Sequence, residues 1–195
     1  MEINESNDIK TIVLLGNDIV GKTSLLFRYI NNICPIDYDP TIEKQSYKIK
    51  INLENNEEIV FNIIDTPSEE TNTKDNSYYK LLSNANGFII IFAIDDKKSF
   101  KNLKDYVTQI KLINQNLPII LVGNKCDLED KREILKNIAN DYSNSIGAKY
   151  FEYSALTDDN KYCNEIFQKC AYDIISNKIS NVEIKNSRCS SCLIF

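Results

Sequence analysis

The chain has 195 residues, within the span of about 100–200 residues usual for one domain, so two full domains would be cramped. Its 23 basic and 28 acidic side chains leave a formal charge of −5, so no overall positive field holds a nucleic-acid backbone. The absence of histidine excludes imidazole bases, Ser/His/Asp triads and His-rich zinc sites, while 43 % hydrophobic residues allow a packed core and exclude wholesale disorder.

Residues 11–15 (TIVLL) form a short apolar run rich in β-branched side chains and closed by Gly16, which predicts a central strand. Leu25, Leu26, Tyr29 and Ile30 recur at helical spacing and predict an amphipathic helix over 22–31. Tyr47, Ile49, Ile51 and Leu53 alternate with polar residues, the mark of a strand with one wet face; Asn55 and Asn56 make the turn, and 59–64 is the returning strand. From there strands over 87–94, 119–123 and 148–153 alternate with helices over 99–114, 131–143 and 160–177. Ile134, Leu135, Ile138 and Tyr142 mark one face of the helix over 131–143, and Ile166, Phe167, Cys170, Ala171, Ile174 and Ile175 one face of the helix over 160–177. This order predicts an α/β fold, a mainly parallel six-stranded sheet with one antiparallel edge strand and helices on both faces. Ligands then bind at the carboxyl ends of the strands. Periodicity stops near Ser180, so the division expected is a domain over 1–178 and a flexible tail over 179–195.

The cysteines are too sparse for a secreted disulfide scaffold, and the first ten residues have neither the basic nor the apolar region of a secretory signal. The apolar run over 88–94 is far shorter than the roughly 20 residues that span a membrane. A reducing cytosol is the expected setting.

Gly16-Asn17-Asp18-Ile19-Val20-Gly21-Lys22-Thr23 matches G-x-x-x-x-G-K-[ST], leaves a strand and opens a helix, with Ser24 beside it. Loop N–H groups and the helix N-terminus favour an anion, so the segment is expected to surround phosphates. By the general template of phosphoryl-transfer proteins, Lys22 reaches the β- and γ-phosphates and the Thr23 hydroxyl ligates Mg²⁺. Asp65 closes an apolar strand, with Thr66 following it, and is placed to hold the same hard cation. Asn124-Lys125-Cys126-Asp127 stands at another strand end. There one carboxylate, Asp127, can accept two N–H bonds from the N1 and 2-amino edge of guanine, a pattern adenine lacks. Ser154-Ala155-Leu156 can present a backbone amide to the guanine O6.

With these motifs in this order the chain resembles the Ras-type small GTPases over nearly its whole length. Tyr38-Asp39-Pro40-Thr41-Ile42-Glu43 looks like the effector region of the Ras and Rap branch rather than of Rab, Rho or Arf. The resemblance implies GTP and GDP as ligands, Mg²⁺ held by Thr23, Thr41 and Asp65, and catalysis involving Lys22, Thr41 and Glu69. It also implies closure of Tyr38 over the phosphates and ordering of the loop by Thr41 in the GTP state. Effectors would be met through Tyr38 to Ser46, including Lys44 and Gln45. An exchange factor and a GTPase-activating protein are implied partners of a monomer.

Four departures bear on turnover and release. The family stretch DTAGQE appears as Asp65-Thr66-Pro67-Ser68-Glu69-Glu70. Ser68 replaces the glycine whose N–H meets the γ-phosphate, and Glu69 replaces the glutamine that orients water, adding negative charge beside an anionic phosphate. Asp18 replaces a glycine and crowds an arginine finger supplied in trans, and Cys34 replaces an aromatic ring that packs on the base. The expected result is slow, poorly stimulated hydrolysis and fast release. Residues 71–76 are polar and longer than the family equivalent.

The chain ends Cys192-Leu193-Ile194-Phe195, a C-a-a-X box whose Phe favours geranylgeranylation of Cys192. One lipid anchors marginally, and Lys185 and Arg188 opposed by Glu183 make a poor polybasic patch, so palmitoylation of Cys189 is the better second signal. The setting expected is the cytoplasmic face of a membrane, the plasma membrane. A permanently GTP-loaded, non-hydrolysing effector-binding module is the alternative, and an adenine-nucleotide kinase is disfavoured by residues 124–127.

Overall fold

The computed structural model describes residues 9–34, 41, 43–53, 57–67 and 76–190, with the side chains of 178–190 excepted. Among the described residues six strands and five α-helices occur in the order β1 (Lys10–Leu15), α1 (Lys22–Asn31), β2 (Gln45–Asn52), β3 (Glu58–Asp65), α2 (Asn76–Asn84), β4 (Gly87–Ala93), α3 (Lys97–Ile113), β5 (Ile119–Asn124), α4 (Lys136–Ile146), β6 (Lys149–Glu152) and α5 (Asn160–Ser190).

The sheet has the order β2-β3-β1-β4-β5-β6. Only β2 runs antiparallel, paired with β3 from Gln45 opposite Asp65 to Asn52 opposite Glu58. The Asn55–Asn56 turn expected between them lies outside the described residues. All seven residues of β4 and all six of β5 are buried, as strands covered on both faces require. In β1, Ile12 and Leu14 pack with Leu25 of α1 and Phe167 of α5, whereas Val13 and Leu15 pack with Leu82 of α2, Leu103 of α3 and Ala139 of α4. Two helices therefore cover one face and three the other. At the centre Phe167 also stacks on Tyr29 of α1 at 4.1 Å between ring centroids.

Three expectations are corrected. Helix α2 is not among the elements expected above; Tyr78, Leu81 and Leu82 bury one face of it, a signal only three residues deep after a polar stretch. The helix expected over 131–143 begins at Lys136. Residues 129–131 form a 3₁₀ turn, and the N–H groups of Glu133 and Ile134 hook onto the Ile94 carbonyl at 2.9 and 3.0 Å, which holds them out of a helix. Its buried face is Ala139 and Ser143, so Leu135 and Ile138 are 59 % and 48 % exposed instead of packed. Finally, the helical backbone of α5 passes the expected end at Asn177 and continues to Ser190, into the stretch over 179–195 expected as a tail. No glycine or proline interrupts 178–190.

The chain order reverses at β1, whose neighbours are β3 and β4, so a crevice opens at the carboxyl ends of the parallel strands.

Candidate nucleotide and cation site

Beyond Leu15 the chain turns tightly through 16–21 into α1. Gly16 has φ +148°, and a Cβ there would stand 2.2 Å from the Ile91 carbonyl oxygen; Gly21 has φ +91°, and its Cβ would stand 2.2 Å from Asn124 Nδ2. Only glycine allows β4 and β5 to approach the loop so closely. Lys22, 7 % exposed, arches back and donates from Nζ to the Gly16 and Asn17 carbonyls at 2.9 Å each. No side chain caps α1 at Gly21, so its first N–H groups and positive dipole end face the loop. Asn17 is tied from the other side by the Tyr106 hydroxyl of α3 at 3.4 Å.

Pairing of β1 with β3 sets Asp65 opposite Leu14, beside this loop. The Thr23 hydroxyl donates to Asp65 Oδ2 at 2.6 Å and lies 2.9 Å from the Thr41 hydroxyl. Asp65 is 1 % exposed, and its Oδ1 has no hydrogen-bond partner among the described residues. Burial pushes its pKa above the ordinary carboxylate value, against the opposing pull of the Thr23 hydrogen bond and the Lys22 charge. Two hydroxyls and a desolvated carboxylate with an orphaned oxygen fit a hard divalent cation. Thr66 is buried and donates to the Leu14 carbonyl at 2.8 Å, a role in holding the strands together, and Pro67 is half-buried beside it.

The second set gathers at β5 and after β6. Asn124, 2 % exposed, donates from Nδ2 to the Val20 carbonyl at 2.8 Å and accepts on Oδ1 from Ala155 N–H at 3.1 Å. One amide side chain thus joins the first loop to the 154–158 loop. Lys125 has φ +63° and places Nζ 4.0 Å from Asp95. Asp127 Oδ1 is hydrogen-bonded to the buried Ser154 hydroxyl, and Ser154 N–H donates to Asp158 Oδ2 at 2.7 Å. Ser154 N–H serves Asp158, Ala155 N–H serves Asn124, and Leu156 N–H turns to Ser154 Oγ at 3.3 Å, so each backbone amide of the stretch expected to offer one to a base has a partner within the chain. Cys126 Sγ lies 3.6 Å from Asp158 Oδ2, and burial with the nearby carboxylates pushes its thiol up to about 12, far from a reactive thiolate.

Among the remaining expected residues, Asp18 and Ile19 are exposed at the loop crest, Ser24 is half-buried, Glu43 and Lys44 are exposed, and exposed Gln45 and Ser46 open β2. Cys34 is half-buried against the core on the α1 and α5 side. Tyr38, Asp39, Pro40, Ile42, Ser68, Glu69 and Cys192 lie outside the described residues, as does the Cys189 side chain. Arg28, Tyr106 and Asp158 escape a motif reading. Arg28 in the last turn of α1 reads only as a favourable charge for the helix dipole, yet it donates to carbonyls of the 154–158 loop.

The tight glycine-bounded loop, its folded-back lysine and the Thr23–Asp65 pair define a nucleotide-binding protein of the phosphate-loop class. Comparison with known proteins narrows the class. The Ras family model matches residues 11–176. The Ras-related protein Rab-3C of Bos taurus is 36 % identical over 171 residues, covering 87 % of this chain and 72 % of that protein. Human Rab-3A is 34 % identical over 171 residues, covering 87 % and 74 %, and mouse Rab-3C is 34 % identical, covering 87 % and 72 %. The chain belongs to the Ras family of small GTPases. These relatives bear Rab names, so the Ras and Rap branch expected above rests on residues 38–43 alone.

Proposed function

We propose that the protein is a guanine-nucleotide switch that binds GTP and GDP with Mg²⁺ and hydrolyses GTP slowly to GDP and phosphate. The observation that carries this reading is Asn124, which ties the phosphate-type loop to the loop that holds Asp127. The amides of residues 16–24 and the Lys22 ammonium hold the phosphates, and Asp127, Lys125 and residues 154–156 hold the base. Thr23, Thr41 and Asp65 would hold Mg²⁺, which when bound neutralises charge between the phosphate oxygens. Glu69 positions water less well than an amide side chain, because it donates no N–H to the developing charge and adds a negative one.

The domain over 1–178 does this work, and the segment over 179–195 carries the membrane signal, geranylgeranyl at Cys192 with palmitate at Cys189, at the cytoplasmic face of the plasma membrane. Among the described residues no helix is long and apolar enough to cross a membrane. As a monomer the protein meets effectors through residues 38–46 and is cycled by an exchange factor and a GTPase-activating protein.

Asp18 and Glu69 favour a second reading, a permanently GTP-loaded effector-binding module. Chromatography of the nucleotide released from purified protein separates the two. Mostly GDP supports a cycling enzyme, mostly GTP the module, and no guanine nucleotide together with no mant-GDP binding in millimolar Mg²⁺ overturns both. Strong stimulation by a Ras-type activating protein in single turnover overturns the slow-hydrolysis reading alone.

A further inference from the structure

Arg28 sits one turn before the end of α1, half-buried, with its guanidinium used on three sides. Nε donates to the Ala155 carbonyl at 3.0 Å, Nη2 to the Leu156 carbonyl at 2.9 Å and Nη1 to the Asn32 carbonyl at 3.1 Å. The first two are carbonyls of successive residues, a spacing suited to a planar fork and not to a point charge.

A trans peptide unit is planar, and its C=O points opposite to the N–H of the next residue. There are no cis peptides among the described residues. Holding the Ala155 carbonyl therefore aims Leu156 N–H away from the guanidinium, and holding the Leu156 carbonyl does the same for Thr157 N–H. Both N–H groups converge on one atom, Ser154 Oγ, at 3.3 and 3.1 Å. A hydroxyl accepting two donors has its own hydrogen left to give, and that bond runs to Asp127 Oδ1. Asp158 fixes the same serine from behind through Ser154 N–H, so the hydroxyl has little freedom to follow any other partner.

We infer that Arg28 is a positioning residue for base selection. From the helix that opens at the phosphate-type loop, its guanidinium orients two peptide planes, these fix the Ser154 hydroxyl, and the hydroxyl sets the Asp127 carboxylate. The inference rests on the proposed reading of guanine by Asp127. It assigns the selectivity of that carboxylate to a residue outside both base-binding segments, 127 and 128 residues away in sequence from the carbonyls it holds.

The test compares GDP with inosine diphosphate, which lacks the 2-amino group that Asp127 would accept. Fluorescent-analogue displacement gives both affinities, and stopped-flow chase gives both release rates, for full-length wild type, Arg28→Lys and Arg28→Ala. Lysine keeps the charge and the stem but cannot span two carbonyls. The expected result for both variants is about tenfold faster GDP release, the size of one hydrogen bond to a charged group, with a similar fall in the GDP over inosine diphosphate preference. Arg28→Lys combined with Ser154→Ala should be no less selective than Ser154→Ala alone, because the effect passes through that hydroxyl. A purely structural role would weaken both nucleotides equally and leave the preference at the wild-type value in both variants, which overturns the inference. Where the alanine variant fails to fold, the lysine variant decides alone. Wild type that does not bind GDP overturns the parent reading instead, and needs no variant to show it.

Discussion

Replacing Asn124 by alanine removes the side chain that the two grips of the site have in common. Two buried backbone groups lose their partners, the Val20 carbonyl at 2.8 Å and the Ala155 N–H at 3.1 Å. An unsatisfied buried backbone group costs about 1–3 kcal/mol, so the pair amounts to about 2–6 kcal/mol before any relaxation. In a domain of about 150–250 residues each kcal/mol moves the melting temperature by about 2–4 °C, so a drop of at least about 4 °C is expected. The same change frees Val20 beside Gly21 and lets residue 155 drift, so GDP release should accelerate by at least about tenfold, equivalent to about 1.4 kcal/mol. Thermal unfolding in the presence and absence of GDP, with stopped-flow release, measures both. Asn124→Asp serves as the comparison: it keeps the acceptor for Ala155 but sets a carboxylate against the Val20 carbonyl, and should also lose the grip on the loop. A melting shift under about 2 °C with unchanged release in Asn124→Ala would refute the reasoning, since the magnitude comes from two unsatisfied groups.

Other outcomes follow from named contacts. Asp65→Asn removes a buried carboxylate charge, so in chelator the protein should melt higher than wild type, while the Mg²⁺ dependence of nucleotide affinity disappears; a Mg²⁺ titration and a thermal scan check the two halves. Cys34→Phe supplies the aromatic ring that the family resemblance sets against the base, and should slow mant-GDP release by about tenfold. Burial alone would raise the Glu152 pKa, but hydrogen bonds from Arg132 and Tyr150 and the charges of Arg132 and Lys136 outweigh it and hold it below the usual glutamate value. A depressed carboxylate contributes stability that is complete above its unfolded-state pKa and is lost as pH falls through the folded-state one. Urea unfolding across the acid range should therefore show a shallower loss in Glu152→Gln than in wild type.

Sequence reading reached the residues whose chemistry is local. Gly16, Gly21, Lys22 and Thr23 declare themselves by spacing, and the alternation of apolar strands with helical stripes fixes a parallel sheet before any coordinate is known. Asp65 was legible only through the company of that loop, since a carboxylate at a strand end is more often a turn former or helix cap. The contacts of Arg28 were not legible, because its partners are carbonyls, which every residue carries and no pattern marks. Helix α4 shows the same limit in reverse. Ile134, Leu135 and Ile138 read as one apolar face, but the hook of residues 133 and 134 onto the Ile94 carbonyl shifts the start and turns two of those side chains to water. Helix α2 was missed because three apolar side chains are too few to rise above a polar flank.

The inward fold of Lys22 bears on how fast the site can be filled. Its two bonds to the Gly16 and Asn17 carbonyls, with the Tyr106 tether on Asn17, keep the curvature of residues 16–21 through interactions internal to the chain. The concave wall is therefore shaped during folding, and an arriving anion meets a surface that need not be ordered first. Association should then be limited by diffusion, with the lysine passing from carbonyl to phosphate oxygen as a swap of one partner for another.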